Sequence, residues 1–429
     1  MSRQHPRRNT TRRHFLSTLL ATAAGTRALG AWAKPASRAE ASRRERPLIE
    51  RITRTIVWEG RRGDGVPTWF HPRACMIPKA DGVEALMTLQ LISGSDVFGP
   101  VHWSTSGDLG QTWTDPQPIP GLGRHSIGED HQEGVCDVVP DYHPQTGTVL
   151  AMGHNVYYRR GVLARPQGPR YPVYVVRDGE GRWSRPQKLL WDDPRATAIY
   201  TSGCSQRIIL PDGGLLVPLS FGPKGRADRG VASARCTFDG RTLSIVRVGG
   251  ELRNSAGRGL LEPSLAVLDG RYYMTMRAED GRGYATSSGD GLAWDPPRAW
   301  AWQDGTPLEM STTQQHWLVH SGGLFLVYTR KAEENVNVMR WRAPLYVAAV
   351  DRESLRLVRE SEQVVMPMIG DGVNDPNHVA RMGNFHTTAV SPEMSWITVG
   401  ETLPHDGWHG NLLLARIHWS RPNRSAPAG

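Results

Sequence analysis

Ser106-Gly107-Asp108-Leu109-Gly110-Gln111-Thr112-Trp113 is the stretch on which the fold turns. It reads as a tight turn leaving one β-strand and entering another. Asp accepts backbone N–H groups inside the turn, Gly supplies positive φ, and Trp is placed to pack between neighbouring sheets. A second copy, Ser288-Gly289-Asp290-Gly291-Leu292-Ala293-Trp294, is one residue shorter. Weaker copies keep the Asp and the turn at Asp178-Gly179-Glu180-Gly181-Arg182-Trp183, Asp239-Gly240, Asp351 and Asp406-Gly407-Trp408. The six aspartates, 108, 178, 239, 290, 351 and 406, therefore mark a repeat. Units of this length match radial β repeats of about four short strands each.

A second series runs out of phase with the first. RACMIPKADG (73–82), VCDVVPDYHPQTG (135–147), QRIILPDGG (206–214), PSLAVLDG (263–270), HWLVHSGG (316–323) and HTTAVSPE (386–393) are apolar strands ending in turns. They read as the innermost strand of each blade. The expectation is an all-β, six-bladed propeller spanning residues 48–429 as a single domain, with the strand near Arg51–Trp58 completing the blade of Leu412–Trp419. The starts of the inner strands then converge on one channel mouth. They carry His71, Arg73, Glu133, Asp137, Gln206, Arg207, Glu262, Gln315, His316, Asn384 and His386, a polar ring that a purely structural core does not need.

Composition narrows the function. The net charge of +9 suggests nucleic acid until its distribution is read. Eleven Lys and Arg against two Glu within residues 1–47 account for all of it, so residues 48–429 are neutral. That leaves no electrostatic case for nucleic-acid or membrane-surface binding. The basic head has its own reading. Thr11-Arg12-Arg13-His14-Phe15-Leu16 is a twin-arginine pattern, followed by a mildly apolar run and the small-x-small site Ala31-Trp32-Ala33. Residues 1–33 read as a twin-arginine export signal and residues 34–47 as a flexible leader, which implies a periplasmic or secreted protein. No stretch is long and apolar enough to span a bilayer as a helix. Cys75, Cys136, Cys204 and Cys236 fit no metal spacing and read as buried thiols. No nucleotide-binding loop, zinc motif or other cofactor signature is present. The loop GRHSIGEDHQEGVCD (123–137) crowds His125, Glu129, Asp130, His131, Glu133 and Asp137, yet its spacing suits a solvated loop better than a metal site.

The Asp boxes, the six units and a set of Arg and Glu landmarks resemble the sialidase (neuraminidase) superfamily of six-bladed β-propellers over residues 50–420. The resemblance implies an exo-glycoside hydrolase that removes a terminal acidic sugar, such as sialic acid, from a glycan, with three arginines binding the carboxylate. Carried over position by position, Arg73 in HPRACMIP looks like the early arginine, and Asp96 in SGSDVFG like the acid/base aspartate. Glu262 in LEPS looks like the glutamate of the fourth blade, Arg277 like the second arginine, and Arg342 like the third, with Arg330 and Arg340 as rivals. Asp137 joins them as a substrate-binding residue from the second inner strand. The family's nucleophilic Tyr has no counterpart: ARMGNFHTTAVSPE (380–393) offers Asn384 and His386 instead. His386 is the titratable group there and becomes the expected base. Two other readings stand beside this one. A propeller lyase or hydrolase acting on uronic-acid or neutral glycans would use His386 or the 125–137 cluster, and a non-catalytic carbohydrate-binding propeller would use neither.

Overall fold

The computed structural model describes residues 46–60, 68–80 and 82–426. The twin-arginine segment and most of the leader lie outside the described residues. From Arg46 onward the chain forms one compact unit. It contains six antiparallel sheets, and the only helical elements among the described residues are single 3₁₀ turns.

Each sheet is a blade of four principal strands. Blade 1 runs through Trp69–Lys79, Gly82–Gly94, Val97–Ser106 and Gln117–Pro118, and blade 2 through His131–His143, Thr148–Arg159, Pro172–Arg177 and Gln187–Lys188. Blade 3 is built on Ile208–Ile209, Leu215–Gly222, Gly230–Phe238 and Leu243–Val248. Blade 4 is built on Leu261–Leu268, Arg271–Arg277, Gly283–Ser288 and Arg298–Ala299. Blade 5 comprises His316–His320, Gly323–Tyr328, Leu345–Asp351 and Arg356–Leu357. Blade 6 takes Arg381–Ser391, Met394–Thr402 and Leu412–Trp419 from one end of the chain and Ile49–Trp58 from the other. Ile52 pairs with Ile417 and Thr55 with Leu414 in that closure.

Apolar side chains are shared out between blades. Separate buried clusters fill each of the six blade-to-blade interfaces, for example Met87 and Leu89 against Trp396 and Leu414, or Trp300 and Trp317 between blades 4 and 5. Side-chain donors then tie each inner strand to its neighbour's backbone around the channel. Thr88 Oγ1 donates to Val138 O at 2.7 Å, Arg207 Nη2 to Val139 O at 2.8 Å, Ser220 Oγ to Leu260 O at 3.1 Å and Trp317 Nε1 to Ser264 O at 3.0 Å. Thr387 Oγ1 to Trp317 O at 2.6 Å and Thr398 Oγ1 to Pro72 O at 2.7 Å complete the ring. Buried carbonyls in the channel wall are thereby satisfied without water.

Five of the six marked aspartates sit in the turn after the third strand of a blade. Asp108 Oδ1 accepts from Gln111 N at 3.0 Å and Thr112 N at 2.9 Å. Asp290 Oδ1 accepts from Leu292 N at 2.9 Å and Ala293 N at 2.8 Å. Asp178, Asp239 and Asp351 repeat the pattern. The tryptophans of the three Trp-bearing turns pack across blade boundaries. Trp113 lies 6.0 Å from Trp396, Trp183 lies 6.1 Å from Trp103, and Trp294 donates to Ser233 Oγ at 2.9 Å. Asp406 is different. It lies between the second and third strands of blade 6, in the turn Leu403–His409, at the opposite end of the sheet. The reason is topological: the fourth strand of blade 6 comes from the other end of the chain, so no continuous turn joins its third and fourth strands.

Candidate functional site

A β-bulge opens the inner strand of four blades. Between Phe70 and Arg73, Cys136 and Val139, Leu261 and Ser264, and Arg381 and Asn384 the inner strand carries one residue more than its partner. Three of these bulges hold a left-handed residue, His71 at φ 54°, Asp137 at φ 59° and Glu262 at φ 48°. Asp96, in the hairpin between the second and third strands of blade 1, has φ 56°. A non-glycine residue held there costs about 1–3 kcal/mol, a strain that clusters at ligand sites. Each bulge re-aims a side chain toward the channel mouth.

The mouth holds a cleft of about 280 Å³ lined by Asp96, Asp137, Glu262, Arg258, Arg277, Arg340, Arg342, Arg381 and Asn384, with Phe70, Phe98 and Trp408 as apolar walls. A hollow of about 160 Å³ adjoins it and shares Asp96, Asp137, Glu262, Arg258 and Arg277. Glu262 and Arg277 meet because Leu261 pairs with Arg277 across the blade 4 hairpin. Arg277 Nη2 donates to Glu262 Oε1 at 2.6 Å, and its Nη1 donates to Thr312 O at 2.8 Å. Arg342 precedes the third strand of blade 5. Its Nε lies 3.3 Å from Thr313 Oγ1 and no carboxylate among the described residues pairs with it. Burial, then Arg340 and Arg277, press its proton affinity down. A guanidinium stays charged all the same, so the fold carries the cost of an unneutralised cation. Gly383 admits this side chain: a Cβ there would meet Arg342 Cδ at 2.4 Å.

Of the expected site residues, the structure brings Asp96, Asp137, Glu262, Arg277 and Arg342 to one cleft. Arg73 is placed otherwise. The His71-Pro72 bulge shifts the register, so His71 lines the cleft and Arg73 lies beneath it, with a side chain only 1% exposed. Arg73 Nη2 donates to Asp137 Oδ1 at 2.7 Å. Burial alone would raise Asp137, yet His71 and Arg73 hold its carboxyl well below the usual range. Burial also lowers His71, to about 4, so it is neutral near pH 7. His386 also lies apart from the cleft, three residues beyond Gly383. It is buried against His316, 5.1 Å between ring centroids, and lines a separate cavity of about 960 Å³ at the far end of the channel. Burial, then His316 and Arg73, drive its pKa well down. Among the described residues, no tyrosine lines the cleft or its adjoining hollow.

Arg340, Arg381 and Arg258 were not singled out as site residues from sequence; Arg340 stood only as a rival. They come from loops and from the first residue of an inner strand, where no periodicity marks them. In the 123–137 loop, Asp130 pairs with Arg160 at 2.9 Å and Glu133 accepts from Asn155 and Tyr171 at 2.8 and 2.6 Å. Cys136, Asp137 and His154 bring three donor atoms within 4.8 Å of one another. Asp137 already neutralises Arg73, and Arg170 stands beside His154, so these surroundings do not favour a metal cation. All four cysteines are buried and free.

Residues 164–365 match the model of the BNR repeat-like domain. No curated protein matches the chain by sequence. Among solved structures, a Dyadobacter fermentans protein of unknown function is similar at 14% identity and TM-score 0.59, covering 87% of this chain and 99% of that one. The Trypanosoma rangeli sialidase is similar at 15% identity and TM-score 0.59 over 86% of this chain and 60% of that one. A Hadza microbial sialidase gives 16% identity, TM-score 0.58, and 82% and 66% coverage. This chain thus spans somewhat less than two thirds of either sialidase. Six blades closed by both chain ends, turns of the Asp-box kind and these structural likenesses agree: the chain is a six-bladed β-propeller of the fold that sialidases share, and residues 164–365 within it match a BNR repeat-like domain.

Proposed function

We propose that the protein is an exported glycoside hydrolase that releases a terminal acidic sugar, sialic acid or a related one, from a glycan. The observation that carries this reading is the group of Arg277, Arg340, Arg342 and Arg381 lining one cleft, of which only Arg277 has a carboxylate partner among the described residues. Guanidinium groups bind a carboxylate through paired, charge-assisted hydrogen bonds. Asp96, at the cleft mouth, is the general acid for the leaving oxygen. Glu262, held by Arg277, activates or positions the attacking group. The T. rangeli sialidase is described in complex with sialic acid and as a covalent intermediate with 2,3-difluorosialic acid. With no tyrosine lining this cleft, water is the attacking group here, and inverting glycosidases leave about 6.5–9.5 Å between their carboxyls for it.

The test is release of sugar from sialosides, uronides and arabinosides by purified protein, read together with ultraviolet absorbance. Release of sialic acid or another acidic sugar, without labelling by 2,3-difluorosialic acid, is expected. New double-bond absorbance would select a lyase instead. The missing tyrosine also favours a carbohydrate-binding propeller, which binding without product would select. The Thr11–Leu16 pattern supports export by the twin-arginine route, so lysine at both Arg12 and Arg13 should leave the protein in the cytoplasm.

A further inference from the structure

The wall of the site formed by blades 2, 3 and 4 holds cations that a terminal carboxylate does not need. Arg170 precedes the third strand of blade 2, Arg229 precedes the third strand of blade 3, and Arg258 lies on the link into blade 4. All three line the hollow of about 160 Å³ beside the cleft, together with Asp96 and Glu262. The backbone fixes their spacing. Arg229 N donates to Arg258 O at 2.8 Å and Leu260 N donates to Arg229 O at 3.1 Å. Gly259, at φ +77°, permits this approach, because a Cβ there would meet Arg229 O at 2.3 Å. Arg170 Nε donates to Asn155 O at 3.1 Å, which anchors the third guanidinium.

Only one of the three is directly ion-paired, although Asp96, Asp137 and Glu262 line the same hollow. Arg258 shares Glu279, with Nε to Oε1 at 2.6 Å. Arg229 and Arg170 have no carboxylate partner among the described residues. The nearby rim behaves differently: Arg226 pairs with Glu251 at 2.7 Å, Arg253 with Asp228 at 2.7 Å and Arg195 with Asp193 at 2.8 Å. These three rim arginines are paired, whereas Arg170 and Arg229 in the hollow are not. Burial, then Arg170 and Arg258, lower Arg229 to about 10. A buried cation without a counter-charge is costly, and a ligand anion removes that cost.

We propose that Arg170, Arg229 and Arg258 form a second anion subsite, which takes a carboxylate or sulfate on the sugar next to the terminal acidic one. The substrate is then a glycan with anionic groups on adjoining residues. This assignment of the two anions rests on the reading that Arg277, Arg340 and Arg342 hold the terminal carboxylate.

Selenate soaked into crystals of the protein and located by anomalous scattering tests the subsite without assuming a sugar. Selenate is expected against Arg229, and Arg229→Gln should remove it while leaving selenate at Arg342. Arg342→Gln should do the reverse. An empty Arg229 site in the parent protein overturns the proposal, whereas an empty Arg342 site overturns only the terminal-carboxylate reading. Arg170→Gln provides a second variant, expected to weaken the same selenate. Digalacturonate and a 4-sulfated galactosaminyl–glucuronate disaccharide, each titrated against its mono-anionic counterpart, separate carboxylate from sulfate. One of them should bind about ten-fold more tightly than its counterpart, a preference lost in Arg229→Gln. If neither disaccharide displaces the selenate at Arg229, the assignment to a neighbouring sugar is wrong.

Discussion

The two ends of the propeller use charge in opposite ways. At the Asp-box end, Asp108, Asp178, Asp239, Asp290 and Asp351 each turn a carboxylate inward on their own backbone. Hydrogen bonds within each turn hold all five below the ordinary carboxylate range. At the channel mouth, Asp137 and Glu262 are taken by Arg73 and Arg277, while Arg229, Arg340, Arg342 and Arg381 remain without carboxylates among the described residues. Satisfied charges mark architecture; unsatisfied ones mark where an anion belongs.

Mutations at the two ends should therefore separate activity from stability. The largest effect is expected at Glu262→Gln, with kcat falling about 10²–10⁴-fold while circular dichroism and Tm stay near those of the parent. A Tm loss without loss of activity per folded molecule would place Glu262 with the structural carboxylates instead. Arg342→Gln comes next. Removing one charge-assisted contact should raise the Kd for an acidic sugar about 10–100-fold, and Tm should hold or rise because a buried unpaired cation is gone. Asp290→Ala should show the converse: a Tm lowered by a few degrees, with kcat/KM of the folded protein unchanged. The smallest effect is in pH. Carboxyls lowered in the folded state contribute stability above their unfolded value of about 3.9. That contribution disappears as pH falls through the lower folded value, so the Tm difference between the parent and Asp290→Ala should close as pH drops below about 4. A difference that persists at low pH would show that packing around the turn, rather than the carboxylate, holds it.

The inner strands were legible because each is an apolar run that ends in turn residues. Their order around the channel then followed from six repeats. Asp406 misled because its dipeptide Asp-Gly repeats the motif's composition, whereas its place in the blade depends on which chain end supplies the fourth strand. Arg73 misled for a smaller reason: one extra residue at His71-Pro72 moves a side chain from the cleft to the layer beneath it, and spacing alone cannot register a bulge. His386 sits one layer too deep in the same way. Glu262 and Arg277 were legible because fifteen residues of one hairpin separate them and the turn between fixes their register. Arg229 and Arg258 meet only through loops of the folded chain, so no local pattern announced them.

The pairing of Ile49–Trp58 with Leu412–Trp419 also orders events in time. The first described strand is the last to find its partner, since residues about 360 positions apart must meet before the ring can shut. Until then Leu412–Trp419 presents an unpaired edge, the kind that invites pairing with a second chain. Five blades can assemble during synthesis, and the sixth is a latch that closes only on a finished molecule. Under the export we propose, closure of this blade becomes a checkpoint on folding, because a chain lacking its last strand keeps its first one loose.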